Sequence, residues 1–242
     1  MRLGSWVTIG AAGLLGSCAA PPPPPAPPPP PSPMALYEAA IREAAVKQPA
    51  DLEARLSPIT TKNVDVATWA YDLDSRSAGK LIRTLGADVW VTLVPDLKRR
   101  CEGLTGDTLN LRLQQLLGLP PGDGSERKIF TFTVRSADVF RPCADPRIGT
   151  TSCSLEVPDV RHVGLTEATA AAHLRFVLEQ MLSSYRVGFD RPGYPFTALG
   201  YTYDWKPGSE TQHVGLSEYV VRRGAVVHDV QEIGTAEYCA RP

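Results

Sequence analysis

The sequence predicts an α+β fold: a mixed or antiparallel sheet of about five or six strands packed by several helices. Helix-like patterns gather in the first half of the 242-residue chain and strand-like runs in the second. The strands also lack the regular strand–helix alternation of a parallel, doubly wound sheet. Four cysteines, Cys101, Cys143, Cys153 and Cys239, add a disulfide framework to that class.

Each element has its own signal. Ser32-Pro33-Met34 offers an N-cap with proline in the first turn, and Leu36, Ala40, Ala44 and Val46 recur at helical spacing. A helix is predicted over 35–47, ended by Pro49. Val64 to Ala70 reads as a strand of weak pattern, and Gly79 to Leu85 as a short helix closed by Gly86. Asp88 to Val94 is rich in β-branched and aromatic residues, a strand that Pro95 stops. Pro95-Asp96 opens a helix through Leu104. Asp107 caps another through Leu117, with Leu109, Leu113, Leu116 and Leu117 in one stripe.

Lys128 to Val134 alternates cleanly, Ile129, Thr131 and Thr133 on one face and Phe130, Phe132 and Val134 on the other. The longest helix runs from its N-cap Thr166 to Val187, with Ala168, Ala172, Leu178, Met181, Leu182 and Tyr185 as its core face. Strand-like runs then cover 196–205, 216–223 and 225–233. Arg222-Arg223-Gly224-Ala225 reads as a tight turn joining the last two as antiparallel neighbours.

At the N-terminus, Arg2 precedes an apolar stretch from Trp6 to Leu15, too short to span a bilayer. Leu15-Gly16-Ser17-Cys18 follows it. This segment resembles the lipobox of bacterial lipoprotein precursors. The resemblance implies that residues 1–17 are a signal peptide and that Cys18 is lipidated and becomes the first residue of the mature chain. Ala19 after the cysteine resembles the pattern sent to the outer membrane, facing the periplasm, in Gram-negative cells. The rival is an ordinary secretory signal cleaved near Ala20.

From Cys18 to Pro33 lie eleven of the chain's 23 prolines. Such a tract favours polyproline II, rising about 3.1 Å per residue, and makes a stiff stalk on the order of 40 Å long. Residues 34–242 are then read as one globular α+β domain.

Lys plus Arg number 25 and Asp plus Glu 26, interspersed, so nothing points to nucleic acid as a partner. Four cysteines allow three pairings. Cys143 with Cys153, closing a short loop, and Cys101 with Cys239 is the favoured set. Zinc binding and redox catalysis lack the Cys-x-x-Cys pair they usually need, and no metal or cofactor is expected.

Candidate site residues come from four places. Tyr201, Tyr203 and Trp205 share one face of a strand, and flat rings beside the carboxylate of Asp204 or Glu210 suit a sugar surface, although packing in the core explains the same pattern. Arg141, Asp145 and Arg147 put dense charge on the Cys143–Cys153 loop, a segment type that often carries binding residues. His213, in the loop 206–215, is a candidate acid or base.

Leu216-Ser217-Glu218-Tyr219 leads through Gly224 into a returning strand. It is similar to the closing motif of ADP-ribosyltransferases, in which a Glu steadies the nicotinamide ribose. That resemblance implies such a role for Glu218 alone, because Val220 stands where the family's second Glu would be. Phe140-Arg141-Pro142-Cys143-Ala144-Asp145-Pro146 and Leu199-Gly200-Tyr201-Thr202-Tyr203-Asp204-Trp205 resemble exported proteobacterial proteins of uncharacterised type, which implies export and no particular activity.

No Gly-x-Ser-x-Gly elbow, His-Glu-x-x-His helix, Walker loop or Gly-x-Gly-x-x-Gly is present. The expectation is a lipid-anchored envelope protein whose domain binds a partner protein or cell-wall glycan, such as peptidoglycan, without catalysis. The alternative is an enzyme acting on envelope glycan or, through Glu218, on a nucleotide cofactor.

Overall fold

The structure, a computed structural model, describes residues 29–73 and 79–241. The signal segment, Cys18 and most of the proline tract lie outside the described residues. From Pro31 onward the chain forms one unit. Its first helix, α1 (Pro33–Ala45), starts as the sequence predicts: the Ser32 hydroxyl accepts from the Ala35 N–H at 3.2 Å, and Pro33 occupies the first turn.

The strands are β1 (Asn63–Ala70), β2 (Arg83–Thr84), β3 (Val89–Leu93), β4 (Lys128–Arg135), β5 (Val139–Phe140), β6 (Tyr201–Tyr203), β7 (Val214–Ser217), β8 (Tyr219–Val221) and β9 (Val226–Gly234). Seven form one antiparallel sheet in the order β2-β9-β4-β1-β3-β8-β5, and β6 with β7 forms a second, two-stranded sheet. The fold is α+β, as expected. The main sheet exceeds five or six strands because β2 and β5 are two-residue edges, too short to carry a pattern.

β1, weak in sequence, is the centre of the sheet. It pairs along its whole length with β4, Asn63 opposite Arg135 through Ala70 opposite Lys128. Alternation then sends side chains to two cores. Val66, Phe132 and Val134 join Val91, Tyr219 and Val227 on one face. Ala67, Trp69 and Ile129 meet the helices α2 (Val94–Cys101) and α3 (Gly106–Leu116) on the other, through Leu97, Leu109, Leu113 and Leu116.

Three expectations are corrected. Residues 79–85 hold β2 rather than a helix: the edge of β9 offers it backbone partners, and Leu85 exchanges hydrogen bonds with Gly224 and Ala225. The turn at 222–225 is present, with Gly224 at φ 85°, but it does not join neighbouring strands. β8 pairs with β3 and β5, whereas β9 pairs with β2 and β4.

Val221 and Val226 are joined by a chain reaching about 17 Å. Four steps across a flat sheet span about 19 Å. The sheet therefore curls, which is how Tyr219, Val221, Val227 and Val230 enter one cluster with Phe132.

After α4 (Val160–Val163) comes the longest helix, α5 (Glu167–Ser184), capped by Thr166 as predicted. Its inner face is the third correction. His173, Val177 and Ser184 are buried, while Leu178 is 50% and Leu182 81% exposed. Aromatic rings set this phase: Phe176 contacts Trp90 and Phe140, and His173 contacts Phe140.

A short helix, α6 (Thr235–Cys239), closes the chain against α2 through the Cys101–Cys239 disulfide; Cys143–Cys153 is the second bridge. Both pairings are those favoured from the sequence.

Candidate functional site: an aromatic cavity with an unpaired carboxyl

The chain changes sheets at a single residue. β7 of the small sheet ends at Ser217, β8 of the large sheet begins at Tyr219, and Glu218 stands between them. Its N–H donates to the Gly200 carbonyl at 2.9 Å, which holds the junction. The strand residues around it, Leu216, Ser217, Tyr219 and Val220, are buried. Glu218 is among the residues that line a cavity at this junction.

A cavity of about 310 Å³ opens there. β1 and β3 contribute Trp69, Trp90 and Thr92, and the segment before β6 contributes Tyr194 and Phe196. The turn after α3, Leu117 to Leu119, Leu97 of α2, Gln180 and Ser184 of α5, and Thr202 and Tyr203 of β6 also line it. Trp90 and Phe196 meet edge to face, 5.8 Å between centroids, and so brace each other as a wall. Tyr194 is 51% exposed at the rim.

Glu218 is the one carboxyl in this lining, and no Lys, Arg or His is found among the described residues that form it. Its carboxyl has no hydrogen bond or ion pair to any described residue. Burial without a compensating partner disfavours the charged form and pushes its pKa up to about 8. The Thr92 hydroxyl, on a residue only 4% exposed, likewise lacks a partner. Buried polar groups are normally satisfied, so the Thr92 hydroxyl is an exception, and the half-buried Glu218 carboxyl beside the same cavity is a second polar group without a partner among the described residues.

A second cavity, of about 410 Å³, lies between the end of α1 and β6. His213 stacks on Tyr203, with 4.9 Å between centroids and 9° between planes. Gln212 and His213 both have positive φ, 48° and 70°, a conformation costly for residues with a Cβ. His213 Nδ1 donates to the Asp204 carbonyl at 2.9 Å, which leaves Nε2 as the lone pair of the neutral ring. The Tyr203 hydroxyl donates to Glu43 at 2.5 Å, and burial raises the pKa of both Tyr201 and Tyr203. Lys47 donates to the Ala44 carbonyl, and burial lowers its pKa to about 8.

The candidate residues thus separate. Glu218 and Tyr203 line the first cavity; Tyr201, Tyr203 and His213 line the second. Tyr201, Tyr203 and Trp205 form no exposed platform, being 3%, 8% and 2% exposed. Trp205 packs on Tyr37 of α1 and donates to the carbonyls of Gln114 and Leu119. Asp204 is fully buried and committed to Arg112 and Arg100.

Arg141 is corrected from a surface charge to a buried one. The disulfide loop folds back over it. Its guanidinium donates to the carbonyls of Ser57, Arg147, Ile148 and Thr150 and lies 4.9 Å from the Tyr219 ring centroid. Asp145 is also buried and accepts from the Arg147 guanidinium.

Trp90 and Phe196, which build the wall beside Glu218, are missed by the sequence reading. Phe196 lies in the aromatic passage already noted; Trp90 carries no signal beyond its strand. No protein-family model, curated protein or solved structure matches the chain, so the cavities themselves are the ground for a functional reading.

Proposed function

We propose that the protein is a lipid-anchored envelope binding protein whose Glu218 cavity takes one small unit of a cell-wall component and does not transform it. The anchor rests on the resemblance at Cys18, and no helix among the described residues is long and apolar enough to cross a membrane. The observation that carries the reading is the unpaired Glu218 carboxyl within aromatic walls. Ring faces supply apolar contact, and Glu218 and Thr92 supply two polar contacts. About 310 Å³ suits a ligand of one ring rather than a polymer strand.

The rival is an enzyme acting on envelope glycan. Glycoside hydrolysis in its usual form needs two carboxyls flanking the scissile bond, and Glu218 is the one carboxyl among the described lining residues. That favours binding.

Trp69 and Trp90 line the cavity, so their fluorescence reports its occupancy. Soluble peptidoglycan fragments are expected to change that fluorescence saturably and to be recovered intact. Tyr194→Ala, at the rim, weakens the response while circular dichroism is unchanged. Turnover of the fragments would establish the enzyme, and no response to any fragment would remove the reading. Cys18→Ser is expected to move the protein from the membrane to the soluble fraction.

A further inference from the structure

Resting on that reading of the cavity, we infer that the group seated against Glu218 is an organic ammonium, the protonated amine of an amino sugar, of a wall peptide or of a free amine. Five aromatic residues, Trp69, Trp90, Tyr194, Phe196 and Tyr203, line a space whose described lining holds one carboxyl and no Lys, Arg or His. The Trp69 ring carries the Arg127 guanidinium at 5.3 Å from its centroid, which leaves the other four rings without such a partner there among the described residues. Ring faces are negative and attract cations, Trp most strongly, and the attraction grows when water is excluded. A carboxyl without a counter-charge supplies the other half of the recognition. A neutral sugar would use the rings but would leave the acid unmatched. An anion would meet the ring faces and Glu218 with no compensating charge.

The carboxyl's raised pKa makes the free site mostly protonated at neutral pH. An incoming ammonium forms an ion pair with the carboxylate, and the displaced carboxyl proton goes to bulk water. The ligand keeps its own proton. The titratable groups facing Glu218 from the packed elements are the phenols of Tyr203 on β6 and Tyr194 before it; the polar residues contributed by β1, β3 and α5 do not titrate. The proton released is therefore that of Glu218.

The test uses the intact oxidised protein and defined probes. Benzyltrimethylammonium, whose charge does not titrate, is compared calorimetrically with neutral benzyl alcohol, and glucosamine with N-acetylglucosamine, in two buffers of different ionisation enthalpy. The expected result is at least tenfold tighter binding of each cation than of its neutral mate at pH 7. Release of close to one proton accompanies benzyltrimethylammonium at pH 7 and fades above pH 9. A glucosamine preference assigns the source to amino sugars; lysine amide binding without it assigns the source to peptide amines.

Glu218→Gln is expected to abolish the proton release and to reduce the preference to the part that the rings supply. Trp90→Leu weakens the cations without changing the protons released. Equal or tighter binding of the neutral mates overturns the ammonium assignment while leaving the cavity as a ligand site. Absence of binding by every probe and every wall fragment removes both. The wild-type comparison decides the matter even if a variant fails to fold.

Discussion

Arg112 of α3 holds the fully buried Asp204 with two parallel hydrogen bonds, of 2.8 and 2.6 Å, and Arg100 of α2 adds a third at 3.4 Å. This clamp fixes the helices that cover the sheet to the end of β6, and β6 is the partition between the two cavities. Paired geometry of this kind is directional as well as charged.

Removing the acid would strand two guanidinium groups near the interior. Asp204→Ala is expected to cost about 3 kcal/mol in urea unfolding, the low end for a broken buried pair because Arg112 keeps some solvent contact. Asp204→Asn, which keeps the shape and part of the hydrogen bonding, costs less. A loss under about 0.5 kcal/mol for the alanine variant would make the pair no better than a surface salt bridge.

Glu218 predicts an opposite effect. Burial holds its folded pKa at about 8, above the ordinary carboxyl value of 4.5. Below pH 4.5 both folded and unfolded chains hold the proton and no penalty exists. As pH rises toward 8 the unfolded chain ionises first, so stability falls and then levels off. Glu218→Gln abolishes that slope. The variant is expected to match wild type at pH 4 and to exceed it at pH 9 by no more than about 5 kcal/mol, reduced by whatever solvent the half-buried carboxyl meets, measured as the difference in unfolding free energy. Equal stability of the two at both pH values would show the carboxyl to be solvated.

The two bridges close loops of very different length, 10 and 138 residues. In the chain-entropy model these are worth about 2.7 and about 5 kcal/mol, so Cys101→Ser/Cys239→Ser is expected to lower the melting temperature more than Cys143→Ser/Cys153→Ser. Equal shifts in the two variants would mean that local strain, not chain entropy, sets the balance.

Legibility in the sequence followed the range of the causes. The Ser32 and Thr166 caps and the alternation of β4 are local, and each element stands where its pattern places it. β1 has a poor local signal because its stability comes from partners on both sides, β3 and β4. α5 presents alanines on several faces, so periodicity had little to phase; Trp90 and Phe140, distant in sequence, chose its inner face. The cavity was least legible. Glu218 stood out through a motif, but its lack of a partner depends on Trp69, Trp90 and Phe196 arriving from three separate segments.

The bridges are nested, one inside the other along the chain. A polypeptide that emerges N-terminus first presents Cys101 and then Cys143, and these two are not partners. Oxidation in order of appearance would join them, and would leave Cys153 to Cys239 as the second error. Cys101 must either remain a thiol until the last strand has been delivered or be released through a mixed disulfide, on a timescale of seconds to hours. Where Cys101 is oxidised before Cys239 has been delivered, recovery of the native pairing depends on disulfide isomerisation rather than on the speed of oxidation.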